Sequence, residues 1–196
     1  MGAIAAVSRA RWLTVALLGA GMVIAQVHRI DLSVALPLMA ADYGWSRTSQ
    51  GLALSSFYWT YSLCLIPAGL LLDRFGIRAP VVAAFLLWSL ASAATSLTSS
   101  IAMLVAFRLL VGAGESILMP ASMRYIRSHF EEGRRGLAVG LCVTGTKIGP
   151  AIGFPLATVL VSRLGWRAMF VVVAAAGLPW VWFYWRSVRR GAAVAE

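Results

Sequence analysis

The chain has 196 residues, of which 60% are hydrophobic and only 12% are charged, and its mean hydropathy is +0.82. Soluble domains carry about 25% charged residues, so this composition excludes an ordinary soluble domain and indicates an integral membrane protein. The net charge of +10 could indicate a nucleic-acid partner. The arginines lie mostly between apolar runs, however, and basic loops of a membrane protein explain them better than nucleic-acid binding does.

Six apolar runs are each long enough to cross a bilayer, which takes about 20 residues in a helix. Because lipid cannot hydrogen-bond free backbone groups, we predict that each run is helical. The first run exceeds the apolar region of about 7–15 residues in a signal peptide, so we predict an uncleaved first span. Residues 188–196 are predicted to form a short cytoplasmic tail. The predicted spans are 12–38, 50–72, 79–98, 101–123, 136–161 and 167–187.

The connectors between these runs differ in charge, and this difference predicts the orientation. Cytoplasmic connectors of membrane proteins carry an excess of basic residues. With both termini in the cytoplasm, the outer side holds only Arg47, Arg163 and Arg167. We therefore predict a multi-pass protein of the cell (inner) membrane with both termini cytoplasmic. The inner side then holds Arg9, Arg11, Arg74, Arg78, Arg124, Arg127, Arg134, Arg135, Arg186, Arg189 and Arg190.

Two connectors share a short basic pattern centred on glycine. The stretch "LLDRFGIR" at 71–78 returns as "LVSRLGWR" at 160–167, with arginine, glycine and arginine at the same spacing. The copies are separated by three predicted helices, so they lie on opposite sides of the membrane. This arrangement indicates an inverted repeat of three helices plus three, over about 12–98 and 101–187. Chance similarity between two short loops is the alternative.

Several motifs resemble the major facilitator superfamily. The stretch "GLLLDRFGIR" fits the family signature G-x-L-x-D-R-x-G-x-R between helices two and three. Others resemble its anion:cation symporter branch: "HRIDLSVALP" in span one, "RLLVGAGESILMP" in span four, and "GTKIGPAIGFPL" and "GWRAMF" in spans five and six. The resemblance covers nearly the whole chain. One departure is His28, which stands where many members carry an acid.

This resemblance implies an all-α membrane fold of six helices, half of the family's full fold. It also implies secondary active transport by alternating access, most simply symport of a small organic anion, such as a sugar acid or carboxylate, with a proton or sodium ion. The partner would be a second six-helix bundle, either a missing carboxyl-terminal half or a dimer mate. The residues at the family's cytoplasmic gate are Asp73, Arg74, Gly76, Arg78 and Arg124.

Ionisable side chains inside the hydrocarbon are costly and therefore are candidates for function. Arg29 and Arg108 are each predicted to lie roughly 10–12 Å below the outer boundary, in equivalent spans of the two repeats. Two guanidinium groups facing one cavity could bind a carboxylate. Structural pairing with internal acids is the alternative. Tyr58 and Tyr61 of span two could also line the substrate site, although membrane aromatics often serve only packing.

Candidate proton-coupling residues lie near these arginines. Glu115 follows Arg108 by seven residues and therefore faces the same side of its helix. Burial favours the protonated form of a carboxyl, so Glu115 could bind and release a proton, as the family resemblance also implies. A fixed ion pair with an arginine is the alternative. His28 could titrate or could simply line the cavity.

Asp31 is a further coupling candidate, and it could pair with either Arg29 or Lys147. No nucleophile–base set or metal-ligand spacing is present, so we predict no enzyme activity, no cofactor and no metal site. Three interpretations remain open: a truncated piece of a larger carrier that is inactive alone, a half-size carrier that dimerises, and a membrane interaction or assembly protein.

Overall fold

The computed structural model describes the backbone of residues 2–192 and the side chains of residues 9–188. Within this part of the chain every regular element is helical, as the composition predicts. The orientation argument also used Arg189 and Arg190, whose side chains lie outside the described residues. Residues 193–196 of the predicted tail lie outside them as well.

Between residues 2 and 192, seven α-helices and one short 3-10 helix follow one another with brief connectors. The last helix continues to Ala192, so the predicted tail begins as helix. An apolar run shows which part of a helix can lie in lipid, but it does not show where the backbone hydrogen bonds of that helix end. The apolar run 167–187 therefore could not predict the end of the last helix. The elements are α1 (Gly2–Tyr43), α2 (Arg47–Phe75), α3 (Arg78–Ala94), a 3-10 helix (Thr95–Leu97), α4 (Ile101–Glu115), α5 (Leu118–His129), α6 (Glu132–Ala176) and α7 (Leu178–Ala192).

Five helical segments of the described chain are long and apolar enough to cross a membrane, so the protein is a multi-pass membrane protein. The fourth segment joins α4 to α5 through two residues that keep right-handed helical backbone angles. This segment matches one predicted run. The five segments are Arg9–Tyr43, Arg47–Phe75, Arg78–Leu97, Ile101–His129 and Glu132–Val188.

The fifth segment is far longer than one membrane crossing requires. Its 57 residues would extend over roughly 85 Å as a helix, against a hydrocarbon thickness of about 30 Å. The helix is interrupted at Gly165, where φ is 79° and ψ is 164°. This break falls between the last two predicted runs, and the segment is long enough for two passes. The total of six spans stays a prediction.

The two copies of the glycine-centred connector share a backbone conformation as well as a sequence pattern. Gly76 ends α2 with φ 69° and ψ −173°, close to the angles of Gly165. This region of φ and ψ is essentially restricted to glycine. The repeated glycine is therefore explained by a repeated turn geometry, which is consistent with the predicted inverted repeat.

The helices that position the polar residues approach one another closely. α1 packs along α6, and α2 packs along α4. A Cβ on Gly145 of α6 would lie 2.4 Å from the carbonyl oxygen of Gly19, and one on Gly112 of α4 would lie 2.3 Å from that of Phe57. Small residues allow such contacts, which are the usual basis of helix association in lipid. They bring α1 against α6 and α2 against α4.

Replacing either connector glycine should destabilise the fold. We expect Gly76→Ala and Gly165→Ala each to cost about 1–3 kcal/mol, because alanine is strained at these angles. Thermal unfolding of the purified protein in detergent measures the effect. Gly51→Ala is the matched control, since Gly51 has a helical conformation with open space around its Cα and alanine is the better helix former. Unfolding temperatures for Gly165→Ala equal to those of the control would contradict the assigned turn.

Candidate functional site

A buried ion pair joins α1 to α4. The Nε of Arg29 donates a hydrogen bond to Oε2 of Glu115 at 2.7 Å. The Glu115 side chain is fully buried, and that of Arg29 is 22% exposed. The two residues were predicted to serve different tasks, substrate binding and proton coupling. The structure brings them into direct contact, so a change at either one alters the electrostatic environment of the other.

A second guanidinium lies against the same aromatic ring as the first. The Cζ of Arg29 is 4.6 Å from the centroid of the Phe57 ring, and the Cζ of Arg108 is 5.0 Å from it. Arg108 is buried, and its Nε has no hydrogen-bond partner among the described residues. Cations are attracted to the faces of aromatic rings, so the Phe57 ring can interact favourably with both guanidinium groups while each keeps its positive charge. The two predicted substrate-binding arginines therefore occupy one site.

The two tyrosines predicted to line the substrate site flank this ring. Tyr61 stacks on Phe57 with the ring centroids 5.6 Å apart, and its own ring lies 4.7 Å from the Cζ of Arg29. Tyr58 meets Phe57 edge-on at 5.0 Å and is exposed. Tyr61 therefore contacts the charged cluster directly, whereas Tyr58 borders it through Phe57.

Phe57 itself was missed by reasoning from the sequence. It is buried, and the Oγ1 of nearby Thr60 donates to the carbonyl oxygen of Leu109 at 2.7 Å, which holds this part of α2 against α4. The available signal was its spacing, because Phe57 precedes Tyr61 by four residues and so shares its helix face. Phenylalanine in an apolar span resembles ordinary packing, which is why it did not stand out.

His28 and Asp31 add unsatisfied polar atoms to the cluster. Both side chains are buried, and their ring nitrogens and carboxylate oxygens have no hydrogen-bond partner among the described residues. The charge of Arg108 acts on both of them. Buried polar groups are normally hydrogen-bonded, so these two residues offer unused donors and acceptors next to the arginines.

Asp31 makes neither of the ion pairs considered from the sequence. Arg29 is bound by Glu115 instead. Lys147 lies on an exposed position of α6, whereas Asp31 is fully buried on α1. Sequence spacing could not distinguish these possibilities, because which residues meet depends on the relative rotation of the helices.

The predicted gate residues lie at the end of the bundle that the sequence predicts to face the cytoplasm. The Nη1 of Arg124 on α5 donates to Oδ1 of Asp73 on α2, forming an exposed ion pair. Arg124 and Asp73 also line a cleft between α2, α5 and α6. The structure therefore brings together the acid and the base that the resemblance places at the gate.

The remaining residues predicted for the gate lie around the turn between α2 and α3. The Cζ of Arg74 is 5.3 Å from the ring of Phe75, and that of Arg78 is 3.5 Å from the ring of Trp185 on α7. Gly76 forms the turn between them. Arg78 therefore fastens the start of α3 to α7 rather than joining the ion pair of Arg124.

Comparisons with known proteins identify relatives of this chain. The chain is 32% identical over 177 residues to the D-galactonate transporter of Escherichia coli O6:H1 (strain CFT073), covering 89% of this chain and 41% of that one. It is 34% identical over 174 residues to "Probable anion transporter 2, chloroplastic" of Oryza sativa subsp. japonica, covering 87% and 32%. The chain thus spans about two fifths or less of the length of these curated relatives.

The fold is also found among solved structures. The inward-facing, unoccupied structure of a bacterial homologue of the human lysosomal transporter Spinster superposes with a TM-score of 0.82 and 20% identity. The superposition covers 91% of this chain and 43% of that one, which establishes the fold of the described bundle. The family model of the Major Facilitator Superfamily matches residues 8–196. The chain therefore belongs to the major facilitator superfamily.

Proposed function

We propose that this chain forms one bundle of a secondary active transporter that moves a small organic anion, such as a sugar acid or another carboxylate, together with protons. The observation that carries this proposal is the pair of guanidinium groups of Arg29 and Arg108 on one buried ring, with Glu115 bound to one of them. Relatives named as transporters of D-galactonate and of anions support it.

The two arginines provide the anion-binding chemistry. A guanidinium is planar, always charged and able to bind a carboxylate through two parallel hydrogen bonds. Arg108 has its Nε free of partners in the described chain, and Arg29 uses only its Nε on Glu115. A substrate carboxylate can therefore bind Arg108 directly and compete with Glu115 for Arg29.

The charge balance of the cluster gives a reason for proton coupling. Arg29 and Arg108 are balanced by Asp31 and Glu115 when both acids are ionised and His28 is neutral. A monoanionic substrate would then bring one uncompensated negative charge into a poorly solvated site, which is costly. Protonation of one acid restores the balance, so one proton would accompany each negative charge. Glu115 is the first candidate, because the substrate competes with it for Arg29.

Alternating access requires a second bundle, since the substrate site lies between two bundles that rock around it. We propose that the partner is a second six-helix bundle, either a carboxyl-terminal half or a second copy of this chain. The ion pair between Asp73 and Arg124 would close the cytoplasmic side, supported by Arg74, Gly76 and Arg78. The protein would lie in the inner membrane with both termini in the cytoplasm.

The orientation can be tested with single cysteines on a background that lacks Cys64 and Cys142. We expect Ser99→Cys to react with a membrane-impermeant maleimide in intact cells, because Ser99 lies in the connector assigned to the outside. Gly133→Cys should react only after the membrane is permeabilised. Both positions are exposed, so access to the reagent is the only variable. The reverse labelling pattern would refute the proposed orientation.

Arg108→Lys should reduce uptake of an acidic sugar such as D-galactonate. Lysine keeps the charge but lacks the planar pair of donors. Because a hydrogen bond to a charged group contributes about 1.5–3 kcal/mol, we expect a loss of roughly 10- to 100-fold. Uptake is measured in proteoliposomes that contain the complete assembly with its second bundle. The exposed Arg163→Lys is the matched control, and equal uptake by both variants would exclude Arg108 from the substrate site.

Glu115→Gln should separate exchange from accumulation. Glutamine keeps the shape of the side chain and resembles its protonated form permanently, so loaded carriers can still change state. We expect counterflow exchange of labelled substrate to continue while uptake driven by a proton gradient is lost. The control is Glu132→Gln, at a highly exposed position on α6. If the Glu115→Gln variant still accumulates substrate in response to a pH gradient, Glu115 is not the proton-coupling residue. Asp31 and His28 would then be tested next.

A further inference from the structure

An apolar groove of about 490 Å³ separates α2 from α3. Cys64, Ala68, Leu71 and Phe75 are among the residues of its α2 wall. The α3 wall includes Ala83 and Leu87, and the turn between α4 and α5 forms the floor. The one hydroxyl in the lining, that of Ser116, donates to the carbonyl oxygen of Ala113 at 2.7 Å. The groove therefore has no free polar group that would favour a polar ligand.

The groove lies further along α2 than the charged cluster, toward the α2–α3 turn, and its lining shares no residue with that cluster. Its α2 residues recur at spacings of three and four, which places them on one helix face. Leu72 and Asp73 belong to a different face, toward α5 and α6. On α4, Ala113 precedes Glu115 by two residues, so their side chains diverge by roughly 200°. The groove and the ion pair are thus separate sites.

The open side of the groove is apolar and exposed. Leu71, Phe75 and Leu87 are 47%, 57% and 42% exposed. All three lie within membrane-spanning segments. Lipid acyl chains are the apolar component that a bilayer supplies at this depth, and they fill a groove between helices without leaving polar groups unsatisfied.

The basic side chain of Arg74 lies at the end of the groove near the α2–α3 turn. Phe75 lines the groove, and the guanidinium of Arg74 lies over its ring. Arg74 is exposed and has no acidic partner among the described residues, whereas the adjacent Asp73 is bound by Arg124. Basic residues at the cytoplasmic surface attract anionic lipid headgroups. We propose that the groove binds one acyl chain of an anionic phospholipid whose phosphate contacts Arg74.

Native mass spectrometry of the purified full-length chain in detergent tests this site. The protein is titrated with phosphatidylglycerol and with phosphatidylcholine that carries the same acyl chains. We expect the wild type to bind phosphatidylglycerol about fivefold more tightly, the effect of one basic residue near the headgroup. Arg74→Gln should remove this preference. The matched control Arg186→Gln, which removes an exposed arginine from α7, should retain it.

Filling the groove tests the acyl-chain contact. Ala83→Trp places a large ring in the groove at an exposed position. It should weaken binding of both lipids by more than about tenfold, because the acyl chain can no longer bury its methylene groups in the groove. Leu90→Trp, at an exposed α3 position outside the groove lining, is the control and should bind as the wild type does. Arg74 is exposed, so Arg74→Gln tests the headgroup contact even where Ala83→Trp lowers the yield of folded protein.

Three results would overturn the proposal. Equal lipid binding by the two tryptophan variants would show that the groove holds no acyl chain. Equal lipid preference in the two glutamine variants would exclude the contact with Arg74. A lipid-free dimer that is disrupted by Ala83→Trp would assign the groove to a second copy of the chain instead.

Discussion

The ion pair between Arg29 and Glu115 is the interaction on which the interior of this bundle depends. Removing two charges from water costs several kcal/mol for each, and only close, well-aligned contact offsets that cost. α1 and α4 share few backbone contacts, so long side chains must bridge them. The glycine contacts hold α1 against α6 and α2 against α4, and the 2.7 Å hydrogen bond joins these two pairs of helices through side chains.

The same pair explains how a stable interior could also serve the proposed transport. Glu115 offers Arg29 the chemical group that a carboxylate substrate would offer. In the proposed mechanism the substrate carboxylate replaces Glu115 on Arg29, so Arg29 has an anionic partner in both the empty and the loaded state. Phe57 contributes because a ring face attracts a cation without binding it covalently or neutralising it. Arg108 can thus stay buried and still present a free donor.

The sequence was sufficient for the helical fold, because lipid leaves the backbone no alternative to internal hydrogen bonds. It also predicted the glycine connectors and placed Arg29 and Arg108 in one site. It could not show that Asp31 pairs with neither Arg29 nor Lys147, since that depends on helix rotation within the bundle. Phe57 escaped notice for a related reason, because one buried ring among many apolar residues acquires its role only from the neighbouring helices.

The two faces of α4 meet different environments, and the turn after it touches both. Glu115, the last residue of α4, belongs to the charged interior, and the next residue, Ser116, lines the apolar groove. A chain dissolved in lipid must keep charges inside and present apolar surface outside, which is the reverse of a soluble protein. At the peptide bond between Glu115 and Ser116 the chain therefore passes from the charged interior to the lining of the apolar groove. A displacement of the turn at Ser116 would therefore move the carboxylate of the ion pair and the floor of the groove together.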